Sequence, residues 1–261
     1  MPTLRAILRL TRLDFSLVSF LAIFLPLLVR TNDLDFSLGS AIPLLFICIC
    51  TFIANDLDDV EKDRVNHPER PLPAGHLTPA IAAAMYFTSL GSALFSTKCC
   101  VMPGIDFLYY ALISLSISYG YVVEYLPALK APYVAAVSAV PILIVAASYP
   151  DETGLYTVAG AVFLIFLGRE ICGDIQDRAG DAVSFMHRFN PTPLAAIAFS
   201  IQGLGLLLLA TQARQIGHIV DLLVMVSLLG LAGLYWFKRA RYDRAMTLMK
   251  LQFVAGLYFL V

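Results

Sequence analysis

The chain has 261 residues, 59% of them hydrophobic and 14% charged, with a formal net charge of −1. Soluble domains carry about 25% charged residues, so this composition excludes an ordinary soluble domain, and the mean hydropathy of +0.78 points to lipid. A near-neutral chain also lacks the basic face that nucleic acid requires.

In chain order, nine apolar stretches are of bilayer-crossing length. They cover residues 13–30, 37–54, 79–97, 103–123, 132–149, 154–172, 192–212, 218–236 and 244–261. The expected architecture is all-α integral membrane. It is a single domain, 1–261, of nine transmembrane helices in a bundle around a central cavity opening to the cytoplasmic side. Pro26, Pro43 and Pro141 fall inside these stretches, where neighbouring helices re-satisfy the freed backbone groups. The first stretch lacks the small-residue cleavage site of a signal peptide. Cys48, Cys50, Cys99, Cys100 and Cys172 show neither metal-ligand spacing nor a disulfide framework, and read as packing residues.

Lys and Arg set the orientation. With nine spans and a cytoplasmic N-terminus, fourteen of the eighteen cations lie on the cytoplasmic side. Arg30, Lys98 and Arg214 lie opposite, and Lys250 falls inside the last span. The positive-inside rule therefore places the N-terminus and the long polar loops in the cytoplasm.

Two of those loops are acidic. The first, NDLDDVEKDRVNHPERPLPAGHLTP, runs from Asn55 to Pro79 and has five acids in its first nine residues. Continued as a helix from the preceding span, it puts Asn55, Asp59 and Asp63 on one face. Asp56, Asp58 and Glu61 lie off that face and are expected in supporting or loop-solvating roles. The second, GREICGDIQDRAGD, runs from Gly168 to Asp181 and places Glu170, Asp174, Asp177 and Asp181 on one face if the helix persists through Gly173 and Gly180. A solvated acidic loop explains either stretch alone. Two of them, each following an apolar span on the same side, point instead to a site, because carboxylates beside a bilayer are costly unless solvated, paired or metal-bound.

Facing carboxylate clusters need cations between them. Mg²⁺ fits, being commonly held by one or two carboxylates plus substrate phosphates. A diphosphate bridged in this way is an activated leaving group. Arg64, Arg70, Lys130 and Arg178 are candidate phosphate contacts, with Arg able to grip bidentately and Lys acting as a point charge. An apolar bundle beside the site suits an isoprenoid diphosphate, whose allylic cation aromatic faces stabilise. Tyr119, Tyr121 and Tyr125 in SISYGYVVEYLPALK are candidates for that role, the alternative being an interfacial aromatic belt.

Asn55–Asp59–Asp63 and Asp177–Asp181 resemble the NDxxDxxxD and DxxxD motifs of the UbiA superfamily of intramembrane prenyltransferases. Asp63-Arg64 through Arg70-Pro71-Leu72-Pro73-Ala74-Gly75 is similar to the family's D-R/K…RP run. The local style resembles the branch that prenylates glycerol-phosphate lipids. The resemblance covers nearly the whole chain and implies Mg²⁺-dependent transfer of a prenyl group from its diphosphate. It implies metal-diphosphate binding by Asn55, Asp59, Asp63, Asp177 and Asp181. It also implies a diphosphate contact from Lys130, with Tyr125 as the tyrosine of the same Tyr-x-x-x-Leu-Lys pattern. Arg12 in RLTRLDF matches an N-terminal family arginine, without the usual R-P-x-N continuation. Asp174 is a further substrate-side candidate, sharing the face of Asp177.

The expected activity is prenyl transfer to an aromatic or lipid-phosphate acceptor, with a small hydrophobic acceptor and the bilayer as partners. Two alternatives use the same residues differently. One is a terpene cyclase that closes the prenyl cation on itself. The other is a transporter whose acids bind cations, although transporters place such acids near the midplane on broken helices.

Overall fold

The computed structural model describes residues 2–176 and 188–212, together with 227, 228, 230–233, 235, 237, 239, 244, 247 and 248. Among these residues the regular structure is entirely helical: α1 Pro2–Leu10, α2 Leu13–Thr31, α3 Leu34–Asp58, α4 Val60–Asn66, α5 Pro79–Cys100, α6 Asp106–Tyr125, a 3-10 turn Pro127–Leu129, α7 Lys130–Ser148, α8 Thr153–Gln176 and α9 Pro191–Ala210. The first seven apolar stretches each coincide with a helix. The stretches 218–236 and 244–261 lie largely outside the described residues.

Among the described residues, six helices are long and apolar enough to cross a membrane: α2, α3, α5, the 3-10 turn with α7, α8 and α9. The expected fourth span, α6, is also helical, but it is rich in Ser and Tyr and is not among the six. On α2, Leu17, Leu21, Leu25 and Val29 are all exposed four residues apart, a stripe suited to contact with lipid. A stripe of large aliphatic side chains facing outward at helical spacing has no place on a water-soluble protein.

Two compact units make up the chain. One comprises residues Met1–Tyr125 and Val140–Pro150, the other Leu126–Ala139 and Asp151–Val261. In the first, α3 is the central element and packs against α2, α5 and α6. Asn32 in a left-handed conformation ends α2, and Asp33 caps α3 by accepting the Phe36 N–H at 2.9 Å, so two polar residues reverse the chain. Tyr109, fully buried on α6, donates its hydroxyl to the Ser40 carbonyl of α3 at 2.5 Å. Pro43 removes one backbone donor from α3 without ending it.

In the second unit α8 and α9 are closely paired. A Cβ on Gly205 of α9 would stand 2.7 Å from the Ala161 carbonyl oxygen of α8, and one on Gly168 of α8 would meet the Ala198 carbonyl of α9. Small residues on both helices thus bring the backbones together, as membrane helices commonly require. Below the acidic end of α8, Ala131, Ile171, Cys172, Ile175, Ala198 and Phe199 belong to one apolar cluster.

Candidate active site

The apolar run of α3 continues as helix through Asn55 to Asp58. Asp59 then adopts φ −96°, ψ 8°, and α4 resumes at Val60. The turn is slight: the Asp59 N–H still donates to the Asn55 carbonyl at 3.0 Å, and the Asp63 N–H to the Asp59 carbonyl at 2.8 Å. The backbone therefore keeps the expected four-residue spacing, but the side chains go to different places.

Asp56 and Asp63 are the buried acids of this segment, 3% and 4% exposed. Arg12 Nη2 donates to Asp56 Oδ1 at 2.7 Å, and Arg70 Nη1 lies 3.6 Å from the same oxygen. Arg70 Nη1 also reaches both oxygens of Asp63, at 2.8 and 2.7 Å. Two carboxylates seven residues apart, hence on one face across two helical turns, are thus cross-linked by a guanidinium from the following loop and clamped by a second from the N-terminus. Burial raises the Asp63 carboxyl above its ordinary pKa, and Arg70 offsets only part of that rise.

The loop delivers Arg70 for local reasons. Leu72 and Leu77 are buried in a cluster with Ala6, Leu10, Ile53 and Ala82. The Pro71 carbonyl accepts the His76 and Leu77 N–H groups at 2.9 and 3.2 Å. Gly75, at φ +70°, turns the chain back, a conformation that carries no steric penalty for glycine. Thr78 then caps α5 by accepting the Ile81 N–H at 3.3 Å, with Pro79 in its first turn. Arg12 sits at φ +41° between α1 and α2, its guanidinium 5.0 Å from the Phe52 ring centroid.

The other polar residues of the segment diverge from this cluster. Asp59 Oδ1 accepts from Lys62 Nζ at 2.9 Å. Arg64 pairs with Glu61 on the exposed side of α4. Asn55 and Asp58 line a cavity of about 250 Å³ with residues of α5 and α6, Tyr119 among them. Tyr121 and Tyr125, 63% and 59% exposed, lie with ring centroids 4.6 Å apart.

In the second unit α8 runs straight through Gly173 to Gln176. Asp174, 4% exposed, accepts from Lys130 Nζ at 2.5 Å. The two residues are 44 positions apart, and the pair ties the first residue of α7 to the end of α8. Arg169 pairs with its neighbour Glu170 and stacks 5.8 Å from the Phe166 ring centroid. Asp177, Arg178 and Asp181 lie outside the described residues, as do His187, Trp236 and Lys238.

The structure therefore brings together Asp63, Arg70 and Arg12, and separately Lys130 and Asp174. Among the described residues no group of three or more His, Cys, Asp and Glu side chains is assembled to hold a metal. Asn55 and Asp59 are hard oxygen donors of the kind Mg²⁺ takes, and a Mg²⁺ site shared with substrate phosphates needs few protein ligands. Asp56, expected in a supporting role off the Asn55 face, is buried against Arg12 and Arg70, a placement its seven-residue spacing to Asp63 allows. Asp58, expected in the same role, lines the cavity with Asn55 and with Ser116, a hydroxyl inside an expected span.

A sequence model of the UbiA prenyltransferase family matches residues 16–257. The digeranylgeranylglyceryl phosphate synthase of Methanoculleus marisnigri is 29% identical over 187 residues, which is 68% of this chain and 64% of that protein. The enzyme of the same name from Thermococcus gammatolerans is 31% identical over 150 residues, 55% of this chain and 53% of that one. The chain thus spans less than two thirds of the length of these relatives. Two solved structures share the fold. A UbiA homologue from Aeropyrum pernix superposes with a TM-score of 0.72 at 15% identity, covering 95% of this chain and 99% of that one. A structure described as giving insight into digeranylgeranylglyceryl phosphate synthase in membranes reaches 0.65 at 18% identity, covering 100% and 96%. The protein belongs to the UbiA prenyltransferase family.

Proposed function

We propose that this protein is a Mg²⁺-dependent prenyltransferase that ionises an isoprenoid diphosphate and passes the prenyl group to a hydroxyl of a lipid glyceryl phosphate. The observation that supports this most is the acid-and-arginine cluster at the end of α3, where Asp56 and Asp63 are buried against Arg12 and Arg70. Ionisable groups gathered at the end of an apolar helix are a functional hypothesis by default, and here the paired acids hold two guanidiniums of the kind that grip phosphate. The names of the relatives describe a glyceryl phosphate carrying two geranylgeranyl groups. A glyceryl phosphate that already bears one such group is therefore the acceptor of choice.

Asn55 and Asp59, with Asp177 and Asp181, would hold Mg²⁺, which supplies charge neutralisation to the diphosphate. Asp63 holds Arg70 in place through both carboxylate oxygens, and Asp56 holds Arg12. Lys130, steadied by Asp174, places a mobile point charge for the diphosphate. Tyr119, Tyr121 and Tyr125 offer ring faces to the prenyl cation. On reaction the C–O bond to diphosphate breaks, with its electron pair leaving on the diphosphate. The acceptor oxygen bonds the freed prenyl carbon and loses its proton to water. In this reading nine helices surround a cavity open to the cytoplasm, as the distribution of Lys and Arg suggests.

The test is product analysis. Purified full-length protein is incubated with Mg²⁺ and geranylgeranyl diphosphate, with and without a glyceryl phosphate bearing one geranylgeranyl ether. Formation of the doubly prenylated lipid only with acceptor is the expected result. A cyclic hydrocarbon formed without acceptor would replace transfer by cyclisation. No diphosphate release under either condition would overturn the reading.

A further inference from the structure

The described residues lining the cavity at Asn55 and Asp58 all belong to the first unit, on α3, α5 and α6. Its polar lining is Thr51, Asn55, Asp58, Tyr86, Ser116 and Tyr119. Ser116 is 7% exposed, and its hydroxyl oxygen has no hydrogen-bond partner among the described residues. The other two serines of α6 return their hydroxyls to their own helix. Ser114 donates to the Tyr110 carbonyl at 2.8 Å and Ser118 to the Leu115 carbonyl at 3.0 Å. Ser116, between them, does not. A buried hydroxyl left unmet is costly, so a polar ligand atom in this cavity is the partner it lacks.

One turn further along α6, the absence of a side chain at Gly120 makes room for an acid. A Cβ there would stand 2.8 Å from Asp58 Oδ2. Ser116 and Gly120 share a face of the helix, so the unmet hydroxyl and the Asp58 carboxylate border the same space.

The chemistry of this lining selects among ligands. Among the described residues it carries one carboxylate and no cationic side chain, so a phosphate would enter it only in company with a metal ion, whereas a neutral polyol needs none. Its mixture of hydroxyl, amide and carboxylate groups donates and accepts at several points, which matches a polyol. At about 250 Å³ the space suits a glyceryl unit and not a geranylgeranyl chain. Asn55 belongs both to this wall and to the proposed metal-binding set, so a ligand here lies beside the diphosphate site.

We propose that this cavity is the acceptor subsite, in which the hydroxyl that receives the prenyl group accepts a hydrogen bond from Ser116 and donates one to Asp58. The proposal rests on the prenyl-transfer reading and adds to it the recognition of the acceptor. Ser116 and Asp58 are specificity-determining groups for the glyceryl end, whose phosphate lies outside the cavity.

The test uses full-length protein in detergent with Mg²⁺, geranylgeranyl diphosphate and the glyceryl phosphate bearing one geranylgeranyl ether. Ser116→Ala should raise KM for the glyceryl lipid roughly fivefold to tenfold, the loss of about one hydrogen bond, while KM for the diphosphate stays within about twofold of the wild type by the same reckoning. Gly120→Ala keeps every polar group but displaces the flexible end of Asp58, and should shift the same constant in the same direction. A deoxy lipid lacking the free hydroxyl should bind wild type and Ser116→Ala equally, a pattern that a merely structural role for the serine would not produce. Equal shifts in both KM values, or none in either, would overturn the subsite. Calorimetric binding of the glyceryl lipid without donor separates the two ideas. If the wild type transfers no prenyl group, the function falls, whereas unchanged lipid binding in Ser116→Ala and Gly120→Ala removes the subsite alone.

Discussion

Asp56 and Asp174 are almost equally buried, each at the end of an apolar helix, yet they are held differently. Asp56 lies within reach of two arginines, one of which also grips Asp63 through both of its oxygens. Asp174 meets the ammonium of Lys130. A guanidinium is a rigid planar fork, whereas an ammonium is a compact charge on a flexible stem. The first arrangement fixes three segments of backbone, α2, the α3–α4 turn and the Arg70 loop, in one geometry. The second joins two helix ends through a flexible side chain. Charge burial alone does not distinguish scaffold from working part; the shape of the partner does.

That contrast is open to direct attack. Arg70→Ala leaves two buried carboxylates short of their shared partner and should destabilise the protein by about 3–5 kcal/mol, read as thermal denaturation in detergent. A loss no greater than that of Asp174→Asn would show that the network adds nothing to a simple pair. Next in size is Gly205→Ala, which drives a methyl against the Ala161 carbonyl on α8. It should cost up to about 3 kcal/mol and should be additive with Arg70→Ala in a double mutant, because the two residues belong to separate compact units. Asp174→Asn keeps the shape and removes the charge opposite Lys130. An expected loss of about 1–2 kcal/mol would be accompanied by weaker diphosphate binding, measured as a raised KM. The smallest effect is expected at the exposed Arg64–Glu61 pair, where Arg64→Ala should stay within about 0.5 kcal/mol and leave diphosphate KM unchanged. A large KM effect there would return Arg64 to the substrate contacts that the sequence suggested.

Helix positions were legible in the sequence because apolar runs of bilayer length have few alternatives. The first seven runs are helices with ends within a few residues of those expected, α3 and α8 each carrying their helix four residues beyond the apolar run, to Asp58 and Gln176. The side-chain grouping was less legible. Helical spacing placed Asn55, Asp59 and Asp63 on one face, and the backbone hydrogen bonds keep that spacing. Spacing cannot say which face an arginine from another segment will meet. Arg70 reaches Asp63 only because Leu72 and Leu77 are buried and Gly75 turns the loop back. Arg12 and Lys130 find partners 44 residues away in each case, and such long-range pairs leave no trace in local pattern. The cavity at Ser116 depends on where Gly120 lies against Asp58 and on a hydroxyl that does not bond back to its own helix, and neither placement is written in the sequence.

Arg12 gives the molecule an unusual constraint. Its backbone is in the region where glycine is at ease and an ordinary residue loses roughly 1–2 kcal/mol. Replacing it with glycine would relax the bend between α1 and α2 while removing the cation that Asp56 faces. Engineering that ranks substitutions by backbone fit alone would choose that change first, and would trade a comfortable corner for an interior negative charge left to the longer 3.6 Å approach of Arg70.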